Sequence, residues 1–261
     1  MPKLDTRGIL AAAEIAFYAP IAVLTLILVF RYAFRRDAGW FFLFIFSISH
    51  IAEGALIVAG ESITPPNPVL FNAAYIIDYS ALAALLLSTL GFIGMAGQHT
   101  YSENPRVAII LRIIGIIGLA ALGLCIAGGV LGGEANANHT LATTLRRAGV
   151  CVYAGIYVML FGVHVGTWTY RWHLRSYRRH LLAGITFAFP FLGVRLAYAV
   201  IAVFSSSDLL GRDLSPNQTL AKLNPITGNW ILYLVLSLIM EYVVTVLYLF
   251  ASTILARKHR H

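Results

Sequence analysis

Residues 107–131 read VAIILRIIGIIGLAALGLCIAGGVL, a run whose single charged side chain, Arg112, lies close to one end. About 20 apolar residues make a helix long enough to cross the hydrocarbon core of a bilayer, and an arginine near the end of such a helix can reach back to the interface. Six more runs of this kind surround it: Gly8–Phe34, Gly39–Ala59, Val69–Gly94, Arg147–Tyr170, Leu181–Phe204 and Gly228–Leu255. The expected fold is all-α: one polytopic domain over residues 1–261 with seven transmembrane helices. The first run has neither a basic n-region of signal-peptide type before it nor a small-residue cleavage site after it, so it is read as a retained helix. No linker, internal repeat or low-complexity stretch interrupts the series.

Composition excludes the soluble alternatives. Water-soluble domains carry about a quarter charged residues, whereas here 11% are charged and 59% hydrophobic. So little polar surface cannot cover a water-facing globule. The formal charge of +8 does not indicate nucleic acid, because the basic residues sit in short loops rather than on one solvated face. The expected contacts are membrane lipid and a lipophilic small molecule. Cys125 and Cys151 make no disulfide framework and no CxxC pattern; both fall toward one membrane face, so a bridge is conceivable, and two free thiols are the expectation.

The basic residues set an orientation. Arg31, Arg35 and Arg36 end the first run, Arg106 opens the fourth, Arg171, Arg175, Arg178 and Arg179 fill the fifth connection, and Arg257, Lys258 and Arg260 close the chain. By the positive-inside rule these regions are cytosolic, which places the N-terminus outside or in a lumen and the C-terminus in the cytosol. The opposite connections hold Pro65, Pro66, Pro68, Glu134, Asp208 and Asp213, and both glycosylation sequons, at Asn138 and Asn217. Arg146, Arg147, Arg212 and Lys222 weaken the asymmetry. The expected membrane is the endoplasmic reticulum.

Function is sought in ionisable groups within the spans: Glu14, His50, Glu53, Asp78, His164, Arg195 and Glu241. A charge at mid-membrane costs from about 3 to more than ~10 kcal/mol, so such residues face a cavity or each other. At 1.5 Å per residue, Glu14, Glu53, Asp78 and Arg195 fall roughly 9–14 Å from the outer ends of their helices, and Glu241 about 20 Å deep. They can therefore meet. His164 lies nearer the other side and is expected to be a packed, hydrogen-bonded core residue. His50 with Glu53, Tyr75 with Asp78, and Arg195 with Tyr198 are each three apart and share a helix face, with Tyr79 beside Asp78. Ser237, Glu241, Thr245 and Tyr248 form a polar stripe on the last helix. One cation cannot neutralise four acids, so some carboxyls are expected to carry protons.

Several known chemistries are excluded. Lys3, Lys222 and Lys258 are the only lysines and none lies in a span, so there is no Schiff-base site for retinal. The last helix holds no HxxxH pair and no phosphate loop, GxSxG or CxxCH motif occurs, while a zinc site from His50, Asp78 and His164 is disfavoured, though not excluded, by their unequal depths. No metal and no cofactor is expected.

The stretches Tyr32-Ala33-Phe34-Arg35-Arg36 with Gly39-Trp40, then Pro190 to Tyr198 (PFLGVRLAY), and Met240-Glu241-Tyr242 resemble a fungal seven-helix membrane family of unknown function. The resemblance implies a fungal origin and an association with natural-product pathways. In size and architecture the chain is also similar to fungal seven-helix meroterpenoid cyclases, in which intramembrane acids protonate an epoxide; their tryptophan-glutamate pair on the second helix is replaced here by Ala52-Glu53.

The chemistry that fits these residues is acid-catalysed opening of an epoxide or activation of a polyene, followed by cyclisation or hydration. Asp78, Glu241, Glu53 and Arg195 are the expected catalytic group. Glu14, His50, Tyr75, Tyr79, Tyr198, Ser237 and Tyr242 are expected to contact substrate. The competing readings are a transporter, proton relay or ligand-binding receptor, and a structural subunit in which Arg195 merely ties helices together.

The orientation is directly testable. A glycosylation tag inserted in the Tyr170–His180 connection is expected to stay unmodified in microsomes, while one beside Asn138 or Asn217 is modified; the reverse pattern would invert the topology.

Overall fold

The computed structural model describes residues 5–32, 38–63, 67–97, 105–133, 139–174, 176–206 and 215–258, and these are helical throughout apart from short turns. The helices are α1 (Thr6–Tyr32), α2 (Ala38–Ser62), α3 (Pro68–Ala96), α4 (Pro105–Gly133), α5 (His139–Thr169), α6 (Ser176–Phe204), the short α7 (Gln218–Lys222), α8 (Trp230–Tyr233) and α9 (Met240–Lys258). Seven spans are long and apolar enough to cross a membrane, the last running from Trp230 to Ala251. Large apolar side chains such as Phe30, Val158, Phe187 and Phe250 are about 70% exposed on the outside, a surface that suits lipid and not water.

Two details differ from the expected segments. The last span is not one regular helix over Gly228–Leu255. Its start is set by Asn229, whose side chain accepts from the Ile231 N–H at 3.0 Å, and residues Leu234–Ile239 between α8 and α9 form a π-helical segment. Such wide turns carry no proline or glycine signature and cluster at functional sites. The connection ahead of it holds α7, capped by Asn217, which accepts from the Thr219 N–H. Buried Asn224 organises the same connection by donating to Ser205 Oγ and accepting from the Ile226 and Thr227 amides.

Pro65, Pro66, Arg35, Arg36, Glu134, Asn138, Arg175, Asp208, Arg212, Asp213 and the tail from His259 lie outside the described residues, as do Ala33 and Phe34 at the end of the expected first run. Cys125 is buried and Cys151 exposed, and both are free thiols.

α3 is the central helix. It packs against α2, α4, α5 and α6, and Leu82, Leu85, Leu86 and Ile93 are fully enclosed around much of its circumference. Absent side chains allow the close crossings. A Cβ on Gly91 would lie 2.4 Å from the Gly39 amide nitrogen, so α2 and α3 meet backbone to backbone. A Cβ on Gly54 would lie 2.8 Å from the Ala11 carbonyl oxygen. That contact seats α1 on α2 at the level of Glu14 and His50.

Gly91→Ala is therefore expected to destabilise the protein by about 1–3 kcal/mol through overpacking against backbone. Gly123→Ala, where nothing lies within 4 Å, is expected to stay within about 1 kcal/mol of the parent. Melting in detergent checks the pair: equal midpoints would show that the α2–α3 crossing is not constrained as described.

Candidate active site in the membrane core

Five helices each bring one or two ionisable groups to a single point. Glu14 comes from α1, His50 and Glu53 from α2, Asp78 from α3, Arg195 from α6 and Glu241 from α9, and all six are buried. Arg195 donates from Nη2 to Asp78 Oδ1 at 2.9 Å and from Nε to Glu241 Oε1 at 2.7 Å. The other oxygen of Glu241 lies 3.2 Å from His50 Nε2. His50 Nδ1, on the opposite edge of the ring, is hydrogen-bonded to Glu14 Oε1 and lies 3.3 Å from Glu53 Oε2. The groups thus form one continuous chain, Asp78–Arg195–Glu241–His50, which forks to Glu14 and Glu53.

Packing holds the hub of this chain still. The Tyr18 ring stacks on the His50 imidazole at 4.6 Å between centroids, and Phe46 meets it edge-on at 4.5 Å. Tyr18 and Phe46 also meet each other, at 5.7 Å, so the imidazole sits in an aromatic corner with one face under Tyr18 while its two nitrogens address polar groups. Burying so much charge is tolerable only when it is balanced. Arg195 offsets one of the four carboxylates; neutrality then places three further positive charges, as protons or cations, among His50 and the acids. The cluster is one buried network of four acids and an arginine joined through a histidine.

The network meets two cavities at Glu14. An apolar groove of about 330 Å³ lies between α1 and the last span, lined by Leu10, Phe17, Tyr18 and Glu14 on one side and by Leu234, Leu238, Ile239 and Tyr242 on the other. Three of those four opposing residues belong to the π-helical segment, so the wide turns that precede Glu241 also build the groove wall. A second, smaller cavity of about 40 Å³ reaches Glu14 from the end of the bundle where Arg7, Glu61, Tyr75 and Tyr233 lie. Glu14 lines both.

The other expected site residues divide. Tyr242 lines the groove, with its ring 5.5 Å from Phe17, and Tyr75 lines the smaller cavity. Tyr79 and Tyr198 are buried beside the chain of charges, and the Tyr198 hydroxyl has no hydrogen-bond partner. Ser237 is fully buried in the π-helical segment, also without a hydroxyl partner. The polar stripe of the last span splits in function: Thr245 bonds back to the Glu241 carbonyl, and Tyr248 joins Thr89 on α3 at 2.8 Å. His164 stands apart, bonded to Thr186 and accepting from Trp168 Nε1. It cannot share a metal with His50.

Sequence reasoning missed Tyr18, Phe17, Arg7, Glu61 and Tyr233. Tyr18 carries a readable signal, since it lies one turn beyond Glu14 on the same face of α1. The others depend on how the helices are rotated about their axes. Among the described residues, one group brings three candidate metal-ligand atoms together: Glu14, His50 and Glu53 each offer one within 4.8 Å of the others.

No curated protein and no solved structure matches the chain. A family does match along nearly its whole length, residues 4–258, so the groove and the five-helix cluster both fall inside the shared unit. The chain belongs to the DUF7702 family, a domain of unknown function.

Proposed function

We propose that the protein is a membrane-embedded acid–base enzyme that opens an epoxide or activates a polyene in a lipophilic molecule, leading to cyclisation or hydration. The observation that carries this reading is Glu14: one carboxyl joins the buried network of acids to an apolar groove of about 330 Å³. The similarity in size and architecture to fungal seven-helix meroterpenoid cyclases supports it further. A natural setting is the endoplasmic reticulum membrane of a fungus, where such intermediates dissolve in the bilayer and enter laterally.

A proton passes from the Glu14 end of the cluster to the epoxide oxygen as the carbon–oxygen bond breaks. Positive charge builds on carbon among the faces of Phe17, Tyr18 and Tyr242, where aromatic rings stabilise a cation. Attack by water gives hydration, and attack by an internal alkene or hydroxyl gives a ring. The proton released in that step returns to a carboxylate, and His50, facing Glu14, Glu53 and Glu241, redistributes it. Asp78 and Glu241 are bound to Arg195, so they act as the fixed counter-charge behind the donor.

The smaller cavity favours a second reading, a proton relay without chemistry. Arg7 and Glu61 would connect Glu14 to water at the end of the bundle.

Microsomes bearing the protein, offered a panel of polyepoxides and prenylated aromatics, are expected to yield new products by mass spectrometry. Glu14→Gln should lower turnover by about 10²–10⁴ at an unchanged melting temperature. Asp78→Asn and Glu241→Gln should lower turnover and stability together, because each removes a partner of buried Arg195. Arg195→Lys should behave like them, since an ammonium lacks the planar fork that grips both acids. Full turnover in Glu14→Gln would remove the proposed donor, and proton leak through proteoliposomes that depends on Glu14 and His50 would put the relay first.

A further inference from the structure

The arrangement around Glu53 asks for something more than a proton. Its carboxyl is fully buried, and neither oxygen makes a hydrogen bond. The nearest basic atom is His50 Nδ1, 3.3 Å from Oε2, and that nitrogen is already bonded to Glu14. Arg195 serves Asp78 and Glu241, whereas among the described residues the ion-pair contacts of Glu14 and Glu53 are with His50. A carboxyl in a dry interior with both oxygens idle is costly unless a cation or donor completes it.

We propose that Glu14, His50 and Glu53 bind a divalent transition-metal ion of the Zn2+ or Mn2+ class. Two carboxylate oxygens and one imidazole nitrogen are a donor set such ions accept. One atom from each residue already lies within 4.8 Å of the other two. The surroundings match as well. A histidine that ligates through one ring nitrogen characteristically presents the other to a carboxylate, which fixes the ring and strengthens the ligand. Here Nε2 faces Glu241 at 3.2 Å, and Glu241 is itself held by Arg195 at 2.7 Å.

The charge count points the same way. A divalent ion supplies two of the three positive charges that neutrality asks of the cluster, and it does so at the two acids left over. Three protein ligands leave coordination positions free. Because Glu14 lines both cavities, those positions have routes to water on one side and to the groove on the other.

This site rests on the same cluster as the acid–base reading and refines it. With the ion in place, the acid presented to the groove is a metal-bound water, whose proton is far more acidic than that of free water, and Glu14 acts as a ligand. Metal binding is nevertheless measurable without any substrate, so the two ideas can fail separately.

The experiment uses the full chain purified in detergent, stripped with chelator, reloaded with Zn2+, Mn2+ or Co2+ and freed of excess ion by gel filtration. Elemental analysis is expected to find about one ion per chain. The Co2+ form should show visible absorption bands from nitrogen and oxygen ligands. Glu53→Gln and His50→Ala should reduce bound metal to background, with Glu53→Gln keeping the melting temperature of the metal-free parent. Glu241→Gln should retain the site with affinity weakened by about 10–100-fold. Two results would overturn the proposal: a parent protein that retains no ion above background, or a Glu53→Gln variant that binds as the parent does. If the stripped protein binds no metal yet turns over a substrate at full rate, the site is refuted while the acid–base reading stands.

Discussion

Arg195 is the constraint on which the rest of the bundle depends. A guanidinium in the membrane interior has no water to solvate it, and its hydrogen bonds to Asp78 and Glu241 supply the missing partners. Those bonds join α6 to α3 and α9, so the position of the last span relative to the central helix is set by a charge and not by apolar packing alone. Apolar contacts between helices are nearly interchangeable with contacts to lipid tails, and small residues and polar pairs therefore choose the arrangement. The Gly39–Gly91 crossing and the Arg195 fork do this work at different levels of the same bundle.

From that fork the chemistry follows outward. Glu241 uses one oxygen on Arg195 and turns the other toward His50, and the imidazole passes the connection on to α1 and α2. Each step moves closer to the groove, and the chain ends at Glu14, which lies between the apolar wall and the polar cavity. The π-helical segment connects the two properties of the last span: its wide turns form part of the groove wall and end one residue ahead of the residue pair Met240-Glu241. The family match covers this whole assembly.

The seven spans were legible because crossing a bilayer is a local demand on length and hydropathy. The meeting of Glu14, Glu53, Asp78, Arg195 and Glu241 was legible for a different reason: a buried charge needs a partner, and the helical rise gives its depth. What depth cannot give is rotation about the helix axis. For that reason the sequence placed His50 beside Glu53 without showing that its ring joins Glu14 and Glu241, and gave no sign that Glu14 lines the groove or that Arg195 pairs with both Asp78 and Glu241. The π-helical turns left no mark in the sequence at all, and neither did the partnership of Tyr18 with the His50 ring beyond a one-turn spacing from Glu14.

The central claim is that in the metal-free protein Glu14 presents a protonated carboxyl to the membrane-facing groove, while Asp78 and Glu241 are engaged by Arg195. A hydrophobic carbodiimide tests it directly, since such reagents enter the bilayer and modify carboxyl groups that are both protonated and reachable from lipid. Peptide mass spectrometry of the metal-free protein is expected to find the adduct on Glu14 and to find Asp78 and Glu241 unmodified. Labelling of Asp78 or Glu241 with Glu14 untouched would contradict the account.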